Sequence, residues 1–436
     1  MRQTIPLLLL LATLSAPSLQ AQEQIQVFRG AKIYPISGPP IAKGTLIVHK
    51  GKIVAVGPAD QIAIPNGAKI TEVTGKVLMP GLVDTHSHVG EGDGADRSAP
   101  LNPEIRILDA LNVRSATLNK ARAGGITTVN VMPGSGHLLS GQTVYLKLRA
   151  HARTINDLLY CKDPLKDICG GLKMANGTNS IGEPPFPGTR AKSAALARQM
   201  FVKARQYRDK IKAAKGDPQK LPERDLQMEA LVQVLDGKRI VHFHTHRQDD
   251  ILTAIRLGQE FGFRPVLHHV SEAWKVAQAI AAAGVPCSII TLDSPGGKLE
   301  TVDLSMENGA ALEKAGVPVA YHTDDGITDS RWFLRSAAIG VRAGMTRTKA
   351  LEAMTLTGAK MLGLDQRVGS LEPGKDADFI LLSGDPLSVY SHIEQTWVEG
   401  QNVFDRANSE ERTYAVGGYE VFRTDYEDDH AKGEWE

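Results

Sequence analysis

Aromatic residues make up only 5% of the chain, and nothing among them suggests a stacking platform for bases. Neither sign of charge dominates. The formal net charge is +1 over 436 residues, so the basic surplus of a nucleic-acid binder is missing. Long hydrophobic runs are lacking too, and the apolar stretch at residues 7–14 is too short to anchor the chain across a bilayer. Cysteines number three, Cys161, Cys169 and Cys287, so at most one intramolecular disulfide can form. What remains is an ordinary globular composition, 42% hydrophobic. The length suggests two to three domain-sized units, or one large barrel with a small partner.

The N-terminus differs from the rest. Arg2 precedes the apolar run, then come Ser15, Ala16, Pro17 and Ser18, with a cleavage position after Ala21. That is the layout of a secretory signal peptide over residues 1–21, and it predicts a periplasmic or secreted mature chain beginning near Gln22. No cysteine lies near the cleavage position, which argues against a lipid anchor. In an exported chain Cys161 and Cys169, close in sequence around a polar segment, are the expected pair. Cys287 lies in an apolar run and is expected to be a buried hydrophobe.

Short β-prone runs fill residues 22–80, with turns at Gly38-Pro39-Pro40, Lys50-Gly51 and Gly57-Pro58. From residue 81 to 365 the pattern changes. Eight short apolar runs, at 82–85, 126–131, 144–148, 171–175, 239–244, 265–269, 285–290 and 317–321, alternate with amphipathic stretches that include 105–122, 151–159 and 191–211. Eight strand–helix repeats predict an α/β fold, a (β/α)8 TIM-like barrel. β-prone runs return at 366–425, with a hairpin around Glu399-Gly400-Gln401. Neither β-rich flank is large enough to bury a core alone, so the two are expected to combine as a small accessory β-sandwich. Residues 426–436 form an acidic, polar tail.

The histidines fall on the predicted strand ends. His86 and His88 end the first strand, and side chains two apart in a strand share a face. His242, His244 and His246 end the fifth, His268 and His269 the sixth, and His322 leads to Asp324 and Asp325 after the eighth. Eight of the chain's 13 histidines thus gather at strand ends, where a barrel carries its chemistry. Imidazole and carboxylate together favour a divalent metal: zinc first, with Mn2+ or Fe2+ also suited. Alternation puts His242, His244 and His246 on one face, so spacing alone does not choose among them.

The run Gly81-Leu82-Val83-Asp84-Thr85-His86-Ser87-His88, the later histidines and Asp324 resemble the amidohydrolase superfamily of metal-dependent hydrolases. Residues 368–378 are similar to the segment by which those chains re-enter their accessory β-domain. The resemblance spans nearly all of the mature chain. It is greatest, through residues 244–251 and 171–177, to exported members of the imidazolonepropionase-like and prolidase-like branch. It implies that His86, His88 and Asp324 bind one metal and that His244 and His269 bind a second. A carboxylated lysine would bridge them, with Lys173 as first choice and Lys147 as rival; if neither is carboxylated, one metal is implied. His246 is the supporting catalytic histidine, His242 lies deeper, and His268, facing away from His269, is structural.

The chemistry implied is attack on an amide-type C–N bond by metal-activated hydroxide, with Asp324 as proton shuttle. Arg247 and Arg149 are candidates to hold a substrate carboxylate. The expected substrate is a small molecule, a dipeptide or an N-acyl amino acid. Alternatives are a mononuclear deaminase, a cyclic-amide or lactone hydrolase, and a binding or scaffold member without catalysis. No nucleic acid and no stable membrane anchor are expected, and a homo-oligomer is compatible with this reading.

Overall fold

The computed structural model describes residues 24–92, 94, 96, 98–290, 298–418 and 421. The expected signal peptide and acidic tail lie outside the described residues. The N-terminal flank forms five strands, β1 (Gln26–Ile33), β2 (Ile41–His49), β3 (Lys52–Pro58), β4 (Lys69–Glu72) and β5 (Val77–Pro80). β2 and β3 make a two-residue hairpin in which His49 pairs with Lys52. Lys50 and Gly51 both have positive φ, 50° and 74°, as a type I′ turn requires.

Among the described residues, the central segment carries nine strands. They are β6 (Leu82–Ser87), β7 (Ile126–Val131), β8 (Leu139–Gln142), β9 (Val144–Lys147) and β10 (Leu172–Ala175). β11 (Val241–Thr245), β12 (Pro265–His269), β13 (Cys287–Ile289) and β14 (Val319–Tyr321) follow. The C-terminal flank adds β15 (Phe379–Leu382), β16 (Ile393–Val398) and β17 (Gln401–Asp405).

The flanks join as one eight-stranded sheet, ordered β17-β16-β15-β5-β1-β2-β3 with β4 beside β1. β15 runs antiparallel to β5, so the returning chain docks on the strand that leads into the central segment. Phe28, Phe379 and Trp397 seal the junction, with ring centroids 4.9–5.5 Å apart. Hydrogen bonding therefore defines a single sheet where a sandwich was expected.

The eight apolar runs all become strands, buried on both faces as in a sheet covered on each side. They give a mixed α/β, barrel-like arrangement that departs from a regular (β/α)8 barrel in two ways. First, the third run is reversed: β9 is antiparallel to β7 and β8 is antiparallel to β10. Only residues 132–138 separate β7 from β8, too few for the crossover that parallel pairing needs. Second, among the described residues the hydrogen bonds form a six-stranded and a three-stranded sheet rather than an unbroken ring. The segment 139–147 belongs to both. Across the other seam, the Asp324 amide donates to the His86 carbonyl at 2.9 Å.

Two expected helices shrink. Residues 105–122 give a short 3-10 turn at Ile107–Ala110 and a helix at Ala116–Ala123 capped by the Ser115 hydroxyl. Residues 151–159 give only a 3-10 turn, Ile155–Leu158. Cys161 and Cys169 are disulfide-bonded, and Cys287 is a buried free thiol.

A buried ionic cluster ties β9 to the C-terminal flank. Lys147, fully buried, donates to Asp376 and lies 3.0 Å from Asp378 and 3.4 Å from Glu399. Burial lowers the affinity of Lys147 for its proton, but the surrounding carboxylates outweigh it and raise its pKa.

Candidate metal centre

β6 delivers the first two imidazoles. His86 is fully buried, and His88 stands at the strand's end with its side chain 27% exposed. The Asp84 carboxylate locks this strand to the segment after β14: its Oδ1 accepts from the Thr323 amide at 3.0 Å, and its Oδ2 from the Thr323 hydroxyl at 2.5 Å. Asp324 follows with φ of 50°, which turns the chain sharply at that point. Asp324 Oδ1 lies 3.2 Å from His86 Nε2 and 3.0 Å from His88 Nε2.

His88 Nδ1 lies 2.9 Å from the Met132 carbonyl. A carbonyl only accepts, so Nδ1 donates there and Nε2 is the ring nitrogen turned toward Asp324. His86 Nε2, His88 Nε2 and Asp324 Oδ1 thus converge within hydrogen-bond distance, a set of atoms that suits a shared cation. Ligand atoms held tetrahedrally around zinc stand about 3.3 Å from one another, close to these separations.

Lys173, on β10, is fully buried; its Nζ is 3.1 Å from His86 Nε2 and 2.9 Å from Met132 Sδ. Burial pushes its pKa down to about 7, against a partial pull upward from Asp324. Lys147, the rival, is held in the ionic cluster beside the C-terminal flank.

β11 and β12 bring in the remaining rings. His244 and His269 lie 4.4 Å apart centre to centre, and His246 stacks on His269 at 5.1 Å. His269 Nδ1 is 3.9 Å from Asp324 Oδ2. His268 departs from strict alternation. Its ring lies 5.0 Å from His86 and 5.5 Å from His322, so it faces the same cluster as His269. The physical reason is the left-handed backbone of His269, φ 68°, which breaks the strand's alternation. His268 Nε2 lies 3.0 Å from His242 Nδ1, whose other nitrogen meets the Tyr145 hydroxyl at 3.0 Å, so His242 sits deep and hydrogen-bonded.

Two residues given no role from the sequence join the site. His322 stacks on His86 at 4.9 Å, and its Nε2 lies 3.1 Å from His269 Nδ1. Its Nδ1 meets Ser288, which meets Thr85 in turn. The clue was its place two residues before Asp324. Glu300, buried in the short 3-10 turn Leu299–Thr301, stands near His244 and His246, and no spacing pattern marks it.

Arg247 and Arg149 do not come to the cluster. Arg247 pairs with Asp249 at the surface, and Arg149 binds Glu399 at 2.8 Å beside Lys147.

The donors fit a divalent ion. Among the described residues, three groups each bring three ligand atoms within 4.8 Å: His86, His88 and Asp324; His86, His269 and His322; His244, His246 and Glu300. Both nitrogens of His244, Nε2 of His246 and His269, and Oε1 of Glu300 are buried without a hydrogen-bond partner. Burial holds His86, His244 and His269 well below the usual imidazole range and pushes His246 and His322 down to about 3, so neutral rings offer lone pairs. Burial alone would raise the Asp324 carboxyl, but the facing imidazoles, His86 foremost, outweigh it and hold it well below the carboxylate range.

Residues 77–404 match the Amidohydrolase family. A solved amidohydrolase from Thermotoga maritima is 36% identical and superposes with a TM-score of 0.80 over 87% of this chain and 100% of its own. Amidohydrolase tasK of Hapsidospora irregularis is 27% identical over 83% of this chain, which spans only 40% of that relative's length. An imidazolonepropionase of Symbiobacterium thermophilum is 24% identical over 79% of this chain and 84% of its own. A zinc-bound adenosine deaminase of Xanthomonas campestris, 20% identical, shares the fold at a TM-score of 0.54 over 92% of this chain and 99% of its own.

Proposed function

The chain belongs to the amidohydrolase family, and we propose that it is a metal-dependent hydrolase of an amide-type C–N bond. The observation that carries this reading is the convergence on Asp324 Oδ1 of His86 Nε2 at 3.2 Å and His88 Nε2 at 3.0 Å. His86, His88 and Asp324 would hold one ion; His244 and His269 would hold a second, with Lys173 between them. Zinc is our first choice, because neutral imidazole and carboxylate suit it and a zinc-bound deaminase shares the fold. When bound, the metal supplies Lewis acidity and lowers the pKa of water toward neutrality.

The chain's own groups do the rest. Asp324 is ionised and can accept the proton of the attacking water at a carboxylate oxygen. It then returns that proton to the departing nitrogen, because an amine leaves poorly unless protonated. His246, held by Ser271 Oγ at 2.8 Å, stands beside His244 to position the substrate. The strands enclose these groups and exclude bulk water, which strengthens each charge interaction.

We assign a dipeptide or an N-acyl amino acid as the substrate; cyclic amides and lactones present the same carbonyl. We also place the enzyme outside the cytoplasm, on the signal-like N-terminus and the Cys161–Cys169 disulfide.

A screen of zinc- or manganese-reconstituted protein against dipeptides, N-acyl amino acids, lactones and cyclic ureides tests the reading. Amine release from a dipeptide or an N-acyl amino acid is expected. Ammonia release from a heterocycle alone would transfer the chain to the deaminases, and no turnover of any compound would contradict the hydrolase reading.

A further inference from the structure

Glu300 is 3% exposed, and its two carboxylate oxygens are treated unequally. Oε2 accepts from the Thr178 amide at 2.8 Å and from Arg190 Nη2 at 3.4 Å. Oε1 has no partner. The carboxylate lies tight against the backbone of Gly177, where a Cβ would stand 2.6 Å from Oε2, so the 3-10 turn Gly177–Ser180 is packed directly on it. A buried carboxylate oxygen without a donor is costly, and a native fold leaves one where something else supplies the donor.

Beside it are other acceptors. His246 Nε2 is also buried without a partner, while its Nδ1 lies 2.8 Å from Ser271 Oγ. His244 completes the group within 4.8 Å. His244 is also one of the ligands assigned to the metal centre, so the acceptor group adjoins the reacting atoms. Cations already surround Glu300: Arg190 is on Oε2, and Lys298 is close enough for its charge and those of Glu300 and His246 to act on each other. A further dication there meets more repulsion than a singly charged donor does.

We propose that Glu300 Oε1 and His246 Nε2 bind the protonated α-amino group of the substrate. This rests on the hydrolase reading and narrows it to compounds with a free amino group next to the scissile carbonyl, dipeptides and aminoacyl amides rather than N-acyl amino acids. The position suits the chemistry: an α-amino nitrogen is separated from the scissile carbonyl carbon by one carbon, so its receptor must adjoin the metal ligands. Glu300 supplies the charge and His246 a neutral acceptor, a pairing that prefers an ammonium to an uncharged group.

The test compares L-alaninamide with propanamide, which lacks only the amino group, by calorimetry on the metal-loaded protein. Ammonia release and metal content are measured on the same samples. Wild-type protein is expected to bind L-alaninamide at least tenfold more tightly, with the ratio collapsing to within about twofold in Glu300→Gln and falling in part in His246→Asn. Equal binding of the two amides by wild-type protein overturns the proposal. So does loss of a metal equivalent in Glu300→Gln, which would make Glu300 a metal ligand. Preferential binding without ammonia release would keep the amine site and count against the hydrolase reading alone.

Discussion

Asp324→Asn is expected to lower kcat by about a thousandfold, with KM changed by no more than a few-fold, in the range general acid–base groups contribute. The asparagine has nearly the shape of the aspartate. Its backbone amide still donates to His86 O, so the seam between β6 and the segment after β14 stays closed. The side-chain amide, however, cannot take up a proton at neutral pH. It also brings an N–H2 group toward His86 and His88, where the aspartate presents only lone pairs. Both the proton transfer and part of the metal affinity are lost. Steady-state kinetics on metal-saturated protein, beside a thermal melt, check this. A variant that keeps more than a tenth of wild-type turnover would remove Asp324 from the shuttle role.

Lys173→Met is expected to lose about one metal equivalent per chain and at least a hundredfold in turnover. Methionine fits the volume among His86 and Met132 and needs no partner, so the fold should survive. The lysine is different because burial holds its pKa near 7, which leaves a substantial share of neutral amine. A neutral amine can add carbon dioxide: the nitrogen–carbon bond forms, a proton leaves, and a carboxylate stands where the ammonium would have been. The protonated form dominates below about pH 7, so reconstitution with zinc and bicarbonate should be faster at pH 8 than at pH 6. Lys147→Met supplies the contrast. It removes the buried cation shared by Asp376, Asp378 and Glu399 and should cost about 3–5 kcal/mol of stability while metal content stays at the wild-type level. The reverse pattern, metal lost with Lys147 and kept without Lys173, would give the bridging role to Lys147.

The strand positions were legible because fully buried strands are short apolar runs, and all eight of those runs form strands. The His86 and His88 pair was legible because strand geometry puts residues two apart on one face. Direction was not. An apolar run reads the same along a sheet whichever way it points, and the reversal of β8 and β9 follows from the brevity of residues 132–138. The placement of His268 escaped alternation because one left-handed residue, His269, ends the pattern. Charged side chains were the least legible. Arg149 finds its partner 250 positions away in Glu399, whereas Arg247 finds Asp249 two positions on, and neither distance is encoded in residue type. Glu300 had no signal at all. Its importance comes from Thr178, 122 positions earlier, and from the oxygen that Thr178 leaves unpaired.

The central claim is that the histidine cluster with Asp324 is a metal centre. Metal content of the full-length protein, purified without chelator and measured by plasma mass spectrometry, tests it most directly. One to two equivalents of a divalent transition metal per chain are expected, zinc foremost, falling to a small fraction of that in His86→Ala with His88→Ala. Protein that carries no such metal, and takes up neither zinc nor manganese when they are supplied, would contradict the account.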